Sequence, residues 1–95
     1  MTVAVIQDFK GATLDQYDDV LAQGMGLVPR GPAVAGCLFH WVTSTDEGFR
    51  VTDVWESREI FQKAAVEKIG PGGAAFGLTT PEVTFVEIHN YLTAG

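Results

Sequence analysis

Hydrophobic period alternates between two residues and 3.6 residues in one order along this chain, and few folds accept that order. Thr2 to Phe9 is β-branched and apolar, reads as a strand, and is ended by Lys10-Gly11. Thr13-Leu14-Asp15-Gln16 then has the form of a capping box, with Thr13 as N-cap and Gln16 reaching back. Leu14, Tyr17 and Leu21 follow at helical spacing, Asp15, Asp18 and Asp19 take exposed positions near the positive helix end, and Gly24 and Gly26 stop the helix. Met25 to Gly36 carries Pro29 and Pro32 and reads as an irregular connection. Two further strands, Cys37 to Thr45 and Phe49 to Glu56, flank Asp46-Glu47-Gly48, most simply a three-residue hairpin loop with Gly48 in the left-handed conformation. Ser57 caps a second helix with Phe61, Ala64, Ala65 and Ile69 on its buried stripe, and Gly70-Pro71 ends it. Pro71 to Pro81 reads as a second irregular segment, with its glycines free to act as a lid, and Glu82 to Thr93 as the last strand. Strand, helix, strand, strand, helix, strand is the α+β, ferredoxin-like βαββαβ order: a four-stranded antiparallel sheet with two helices on one face, in a single domain over residues 1–95.

Composition narrows what such a domain does. Of 95 residues 46% are hydrophobic and 19% charged, a globular balance, and the net charge of −6 leaves no basic surface for a phosphate backbone, so nucleic acid is not an expected partner. The longest uncharged stretch, from Gly31, is interrupted by Pro32, Gly36 and His40, so no membrane span is expected. The N-terminus lacks the basic region and cleavage site of a signal peptide, and the expected location is cytoplasmic. A lone cysteine, Cys37, is incompatible with an internal disulfide and reads as a small buried hydrophobe.

The sheet face turned away from the helices should be polar in a monomer. Here both alternations are apolar: Phe39, Trp41, Val51, Trp55, Phe85 and Tyr91 at odd positions, Leu38, Val42, Val54, Val86 and Ile88 at even ones. A second subunit packed on the open face, giving a homodimer, is the expected solution. His40, Asp53, Glu87 and His89 are the polar residues set among these aromatics. A three-residue loop sets Trp41 opposite Asp53 and leaves His40 on the other face; a two-residue loop, or a bulge at Gly48, is expected to bring His40 opposite Trp55. Asp53 is costly inside an apolar strand unless paired, and Arg50 and Arg58 are the nearest candidate partners in sequence. His40 also reads as a core histidine bonded to backbone, and the tryptophans as core or interface packing.

The stretch Gly36-Cys37-Leu38-Phe39-His40-Trp41, the turn Asp46-Glu47-Gly48, the run from Val51 through Trp55-Glu56-Ser57 to Glu59, and the ending Glu87-Ile88-His89-Asn90-Tyr91 resemble small actinobacterial-type proteins of the antibiotic biosynthesis monooxygenase-like class. The resemblance implies a dimeric α+β barrel of two ferredoxin-like units. Its relatives include cofactor-free oxygenases of polycyclic phenols, haem-degrading oxygenases and isomerases. It places the pocket tryptophan of the cofactor-free oxygenases at Trp55 and puts Val51 where they carry an asparagine. Haem binding there uses a helical histidine, which neither predicted helix has, so no cofactor is expected. Nothing in the sequence has metal-ligand spacing beyond Glu87 and His89, two apart on one strand, so no metal is expected either.

A histidine, with an unperturbed pKa of about 6.5, suits proton abstraction from a phenol or from a carbon beside a carbonyl, and the resulting anion can react with dioxygen or rearrange. The expected catalytic set is His40, Asp53 and His89, with Asp53 fixing the imidazole tautomer. Trp41, Trp55, Phe85, Glu87 and Tyr91 are the expected substrate-binding residues. The function implied is a cofactor-independent, monooxygenase-like reaction on a planar aromatic or polyketide-type molecule. The alternatives are a cofactor-free cyclase or isomerase, or a non-catalytic small-molecule-binding or interaction module.

Overall fold

The computed structural model describes residues 1–94. Its strands are β1 (Val3–Lys10), β2 (Cys37–Thr45), β3 (Gly48–Trp55) and β4 (Glu82–Glu87). They form one antiparallel sheet in the order β2-β3-β1-β4, the ferredoxin-like arrangement expected from the element order. Helix α1 (Leu14–Asp19) begins at the Thr13 capping box, with both reciprocal bonds to Gln16 present, and passes into a π-helical turn over Val20–Gly24. Helix α2 (Arg58–Ala64) is capped by the Ser57 side chain, which accepts from the Ile60 N–H.

Three sequence expectations give way. Gly70-Pro71 does not stop the second helical arm: α2 widens into a π turn over Ala65–Ile69 and continues as α3 (Gly70–Ala75). Proline breaks an α-helix by lacking an N–H and by clashing with the carbonyl four residues back. Here the Gly70 N–H already reaches five residues back to the Ala65 carbonyl, so the ladder is relaxed where Pro71 enters at the first turn of α3. Gly72 and Gly73 are buried in that helix rather than forming an irregular lid. The last strand ends at Glu87, well short of Thr93, so the alternation expected for His89 and Tyr91 has no strand to carry it.

The hairpin is the third. Thr45 pairs with Gly48, leaving a two-residue loop, and Gly48 is not in the left-handed region. Its missing side chain serves close approach instead: a Cβ there would lie 2.0 Å from the Phe9 carbonyl oxygen. The resulting register sets His40 opposite Asp53, not opposite Trp55; a bulge between Cys37 and Phe39 then brings Cys37 opposite Trp55.

The register sorts the sheet into two faces. Toward the helices runs the row His40, Asp53, Val5, Phe85, beside the row Val42, Val51, Gln7, Val83. Away from them run Phe39, Val54, Ala4, Val86 and Trp41, Thr52, Ile6, Thr84. The core lies on the helical side, where Val3, Val5, Trp55, Phe61 and Ala64 form one buried cluster and Phe9, Phe49 and Val51 another. On the opposite face Phe39, Trp41 and Val86 stand 37%, 49% and 48% exposed, so that face is apolar and open.

Candidate active site

Asp53 is placed by the centre of the sheet. It sits on β3 between Val5 and His40, is 2% exposed, and has no arginine partner. Arg50 is held by Asp8 through bonds of 2.7 and 3.2 Å, and the Arg58 guanidinium lies 4.0 Å over the Phe85 ring. The carboxylate is satisfied by neutral donors and one imidazole. Oδ2 accepts from the Trp55 indole N–H at 3.1 Å and from the Gln7 amide at 3.3 Å, while Oδ1 meets His40 Nδ1 at 2.6 Å. A buried charge tolerated in this way is bonded at both oxygens, as burial demands.

The second ring nitrogen of His40 is also engaged. Tyr17, from α1, places its hydroxyl 2.5 Å from Nε2. A carboxylate can only accept, so the proton of a neutral imidazole belongs on Nδ1; Nε2 keeps the lone pair and the Tyr17 O–H donates to it. Burial, followed by the charges of Asp53 and Asp18, pushes the Tyr17 phenol up to about 12, so the hydroxyl keeps its proton at neutral pH. The rings of Tyr17 and His40 are nearly parallel, 8° apart with centroids at 5.8 Å, and Tyr17 meets Phe49 edge-on at 5.5 Å. Cys37 lies nearby, with burial and the Asp53 charge pushing its thiol up to about 12, and its Sγ sits 3.2 Å from the Phe39 carbonyl.

This chain of groups forms part of the wall of a cavity of about 1160 Å³ between the sheet, the helices and the 25–36 connection. The lining is mostly apolar, including Phe9, Leu27, Val42, Phe49, Val51 and Leu78; its polar side chains include Gln7, His40 and Asp53 from the sheet, Tyr17 and Asp18 from α1, and Arg30, Thr79 and Thr80 from the connections. Such a volume admits a polycyclic ring system, and a few convergent polar groups in an apolar recess are what orients a small ligand. The His40 side chain is 27% exposed, reachable yet largely withdrawn from water.

Of the residues expected from sequence, His40, Asp53 and Trp55 meet at this cavity, while Trp41 borders it along β2 but belongs to the open face of the sheet. Trp55, 1% exposed, acts there as a donor to Asp53 as well as a wall. Four others lie elsewhere. Phe85 shares the His40 row but sits three strands away, packed edge-on against Phe61 at 5.7 Å. Glu87 is exposed opposite Val3, at the point where β4 ends. His89 is exposed beyond that point, and Tyr91 packs edge-on against Phe39. Tyr17 and Gln7 are the positions at this site that sequence reasoning passed over. Tyr17 was indistinguishable from the apolar stripe of its helix, and only its hydroxyl, set between Leu14 and Leu21, marked it out. Among the described residues no group of three His, Cys, Asp or Glu side chains gathers to ligate a metal, and no helix is long and apolar enough to cross a membrane.

No family profile and no curated protein matches the sequence. Solved structures do. A provisionally assigned antibiotic biosynthesis monooxygenase from Chloroflexus aurantiacus superposes with a TM-score of 0.68 at 17% identity, covering 100% of both chains. Another from Deinococcus radiodurans gives 0.60 at 15% identity, over 100% of this chain and 99% of that one. At these identities the likeness is one of fold.

Proposed function

We propose that this chain is a cofactor-independent, monooxygenase-like enzyme acting on a planar aromatic or polyketide-type small molecule, with His40 as the base. The observation that carries this reading is an imidazole anchored by a buried carboxylate and set into the wall of a large apolar cavity. Asp53 holds the tautomer that leaves Nε2 as proton acceptor, and stabilises the imidazolium formed when a proton is taken. Exclusion of water by the apolar lining lets a delocalised carbanion or phenolate persist long enough to meet dioxygen. The names of the two structural neighbours accord with oxygenation. In this reading the single domain works as a homodimer joined through the open face that carries Phe39, Trp41 and Val86.

The test is dioxygen uptake on a hydroxyanthracene-type substrate with no added cofactor, comparing His40→Ala and His89→Ala. Loss of uptake in His40→Ala alone is expected; full uptake in that variant would end the assignment of His40 as base. Val51 favours a second reading, a non-catalytic small-molecule-binding module that would hold its ligand without oxygen uptake or product change, because it faces the cavity where the resemblance implies an asparagine. A cofactor-free cyclase or isomerase needs the same base, and its product would change without oxygen being consumed.

A further inference from the structure

Both ring nitrogens of His40 are occupied at rest. Nδ1 is committed to Asp53 at 2.6 Å, and the single lone pair of Nε2 is taken by the Tyr17 hydroxyl at 2.5 Å. A base in this state has no free lone pair to offer. A ligand in the cavity therefore either evicts Tyr17 or works through it. Eviction is opposed by how Tyr17 is held. Its helix starts at the Thr13–Gln16 capping box immediately before it, and its ring is flanked by Phe49 edge-on and by the imidazole nearly in parallel. Working through it is chemically open, because a phenol oxygen that donates one hydrogen bond keeps lone pairs with which to accept another. Tyr17 itself lines the cavity.

We propose that Tyr17 is the catalytic residue that meets the substrate, relaying the substrate's proton to His40. The proposal rests on the assignment of His40 as base and adds the group through which that base acts. In the step, the acidic C–H or O–H bond of the substrate breaks and its electron pair stays on the substrate. The proton joins Tyr17 Oη while the original Oη–H proton moves to His40 Nε2. The products are a substrate anion, a neutral Tyr17 and an imidazolium beside the Asp53 carboxylate, so charge and protons balance without an oxidant. No free phenolate forms, in keeping with surroundings that push the Tyr17 phenol up to about 12. The substrates selected are those whose acidic hydrogen leaves a delocalised anion, such as an anthrone methylene or a fused-ring phenol.

Anaerobic hydrogen–deuterium exchange at the methylene of anthrone, followed by NMR in D2O, reads proton abstraction alone, whether oxygenation or rearrangement follows. The wild-type protein should accelerate exchange over buffer. Tyr17→Phe should lose about 100-fold of it, as deeply as His40→Ala, within the range of general acid–base catalysis. Tyr17→Phe should also keep the downfield Nδ1 proton resonance of His40, showing the base still seated on Asp53. Exchange at the wild-type rate or faster in Tyr17→Phe, with His40→Ala inactive, would overturn the relay and leave the base standing. Loss of exchange together with loss of the Nδ1 resonance would make Tyr17 a structural support, and overturns the relay too. Unimpaired exchange in His40→Ala, or none above buffer in the wild-type protein, would remove the base and the relay together.

Discussion

Asp53 sets the chemistry of its neighbours by being an acceptor only. With three donors around its two oxygens, replacement by asparagine turns one oxygen into an NH2 group that must face either His40 Nδ1–H or the Trp55 and Gln7 donors. Facing His40, it would draw the imidazole into the other tautomer and remove the Nε2 lone pair. Asp53→Asn should thus lower turnover about 10⁴-fold, the scale known for a triad carboxylate, while costing roughly 1–3 kcal/mol in urea denaturation for the donors left unmatched. Unchanged turnover in that variant would mean the carboxylate has no part in the reaction. Tyr17 and Cys37 carry a separate, alkaline signature. Their ordinary values of 10.0 and 9.0 are both raised to about 12 in the folded protein. The unfolded chain then releases these protons first, so the stability they contribute is whole below about pH 9 and is lost as pH climbs towards 12. Melting temperature should fall through that window; Tyr17→Phe should flatten the part above pH 10, and Cys37→Ala the part that begins near pH 9. Parallel curves for all three proteins would contradict the shifts. His40 and Asp53 were legible as residues because polar groups inside aromatic strands stand out against their surroundings. Tyr17 was not, since its ring fits an apolar helical stripe and its hydroxyl acquires meaning only when β2 brings His40 to it.

The hairpin shows where local reading stops. Strand identities, the Thr13 capping box, the Ser57 cap and the helical stripe at Phe61 and Ala64 are written in residues close in sequence, and each is found. The loop between β2 and β3 is decided by a residue 39 positions earlier. β1 approaches so closely that the Phe9 carbonyl occupies the space a Gly48 side chain would need, and the Gly11 N–H donates to the Glu47 carbonyl at 2.7 Å. That tertiary contact favours two loop residues over three, and with them the face on which His40 stands. Gly48→Ala should destabilise by about 1–3 kcal/mol, as overpacking does, and should weaken the His40–Asp53 contact seen as the Nδ1 proton resonance. A melting curve unchanged from wild type would mean the approach is looser than described. The Gly70-Pro71 pair misled for a related reason. Its usual meaning, a helix stop, assumes an α ladder, whereas the preceding turn is π-helical.

At the scale of the molecule, alternation along the edge strand β2 turns His40 toward the helices while Phe39 and Trp41 belong to the rows of the open face. The homodimer we propose would cover that face, so Val86→Glu, which adds a buried charge to any such interface without touching the cavity lining, should halve the mass measured by light scattering. A wild-type protein that already elutes at the mass of one chain would refute the dimer. The two tryptophans divide along the same line: Trp41 is half exposed, whereas Trp55 is sealed and its indole N–H is bonded to the carboxylate that holds His40. Indole emission responds to polarity and to nearby charge, so the molecule carries its own optical gauge. Light from exposed Trp41 should answer to what covers the sheet, and light from buried Trp55 to any change at the carboxylate its indole N–H is bonded to.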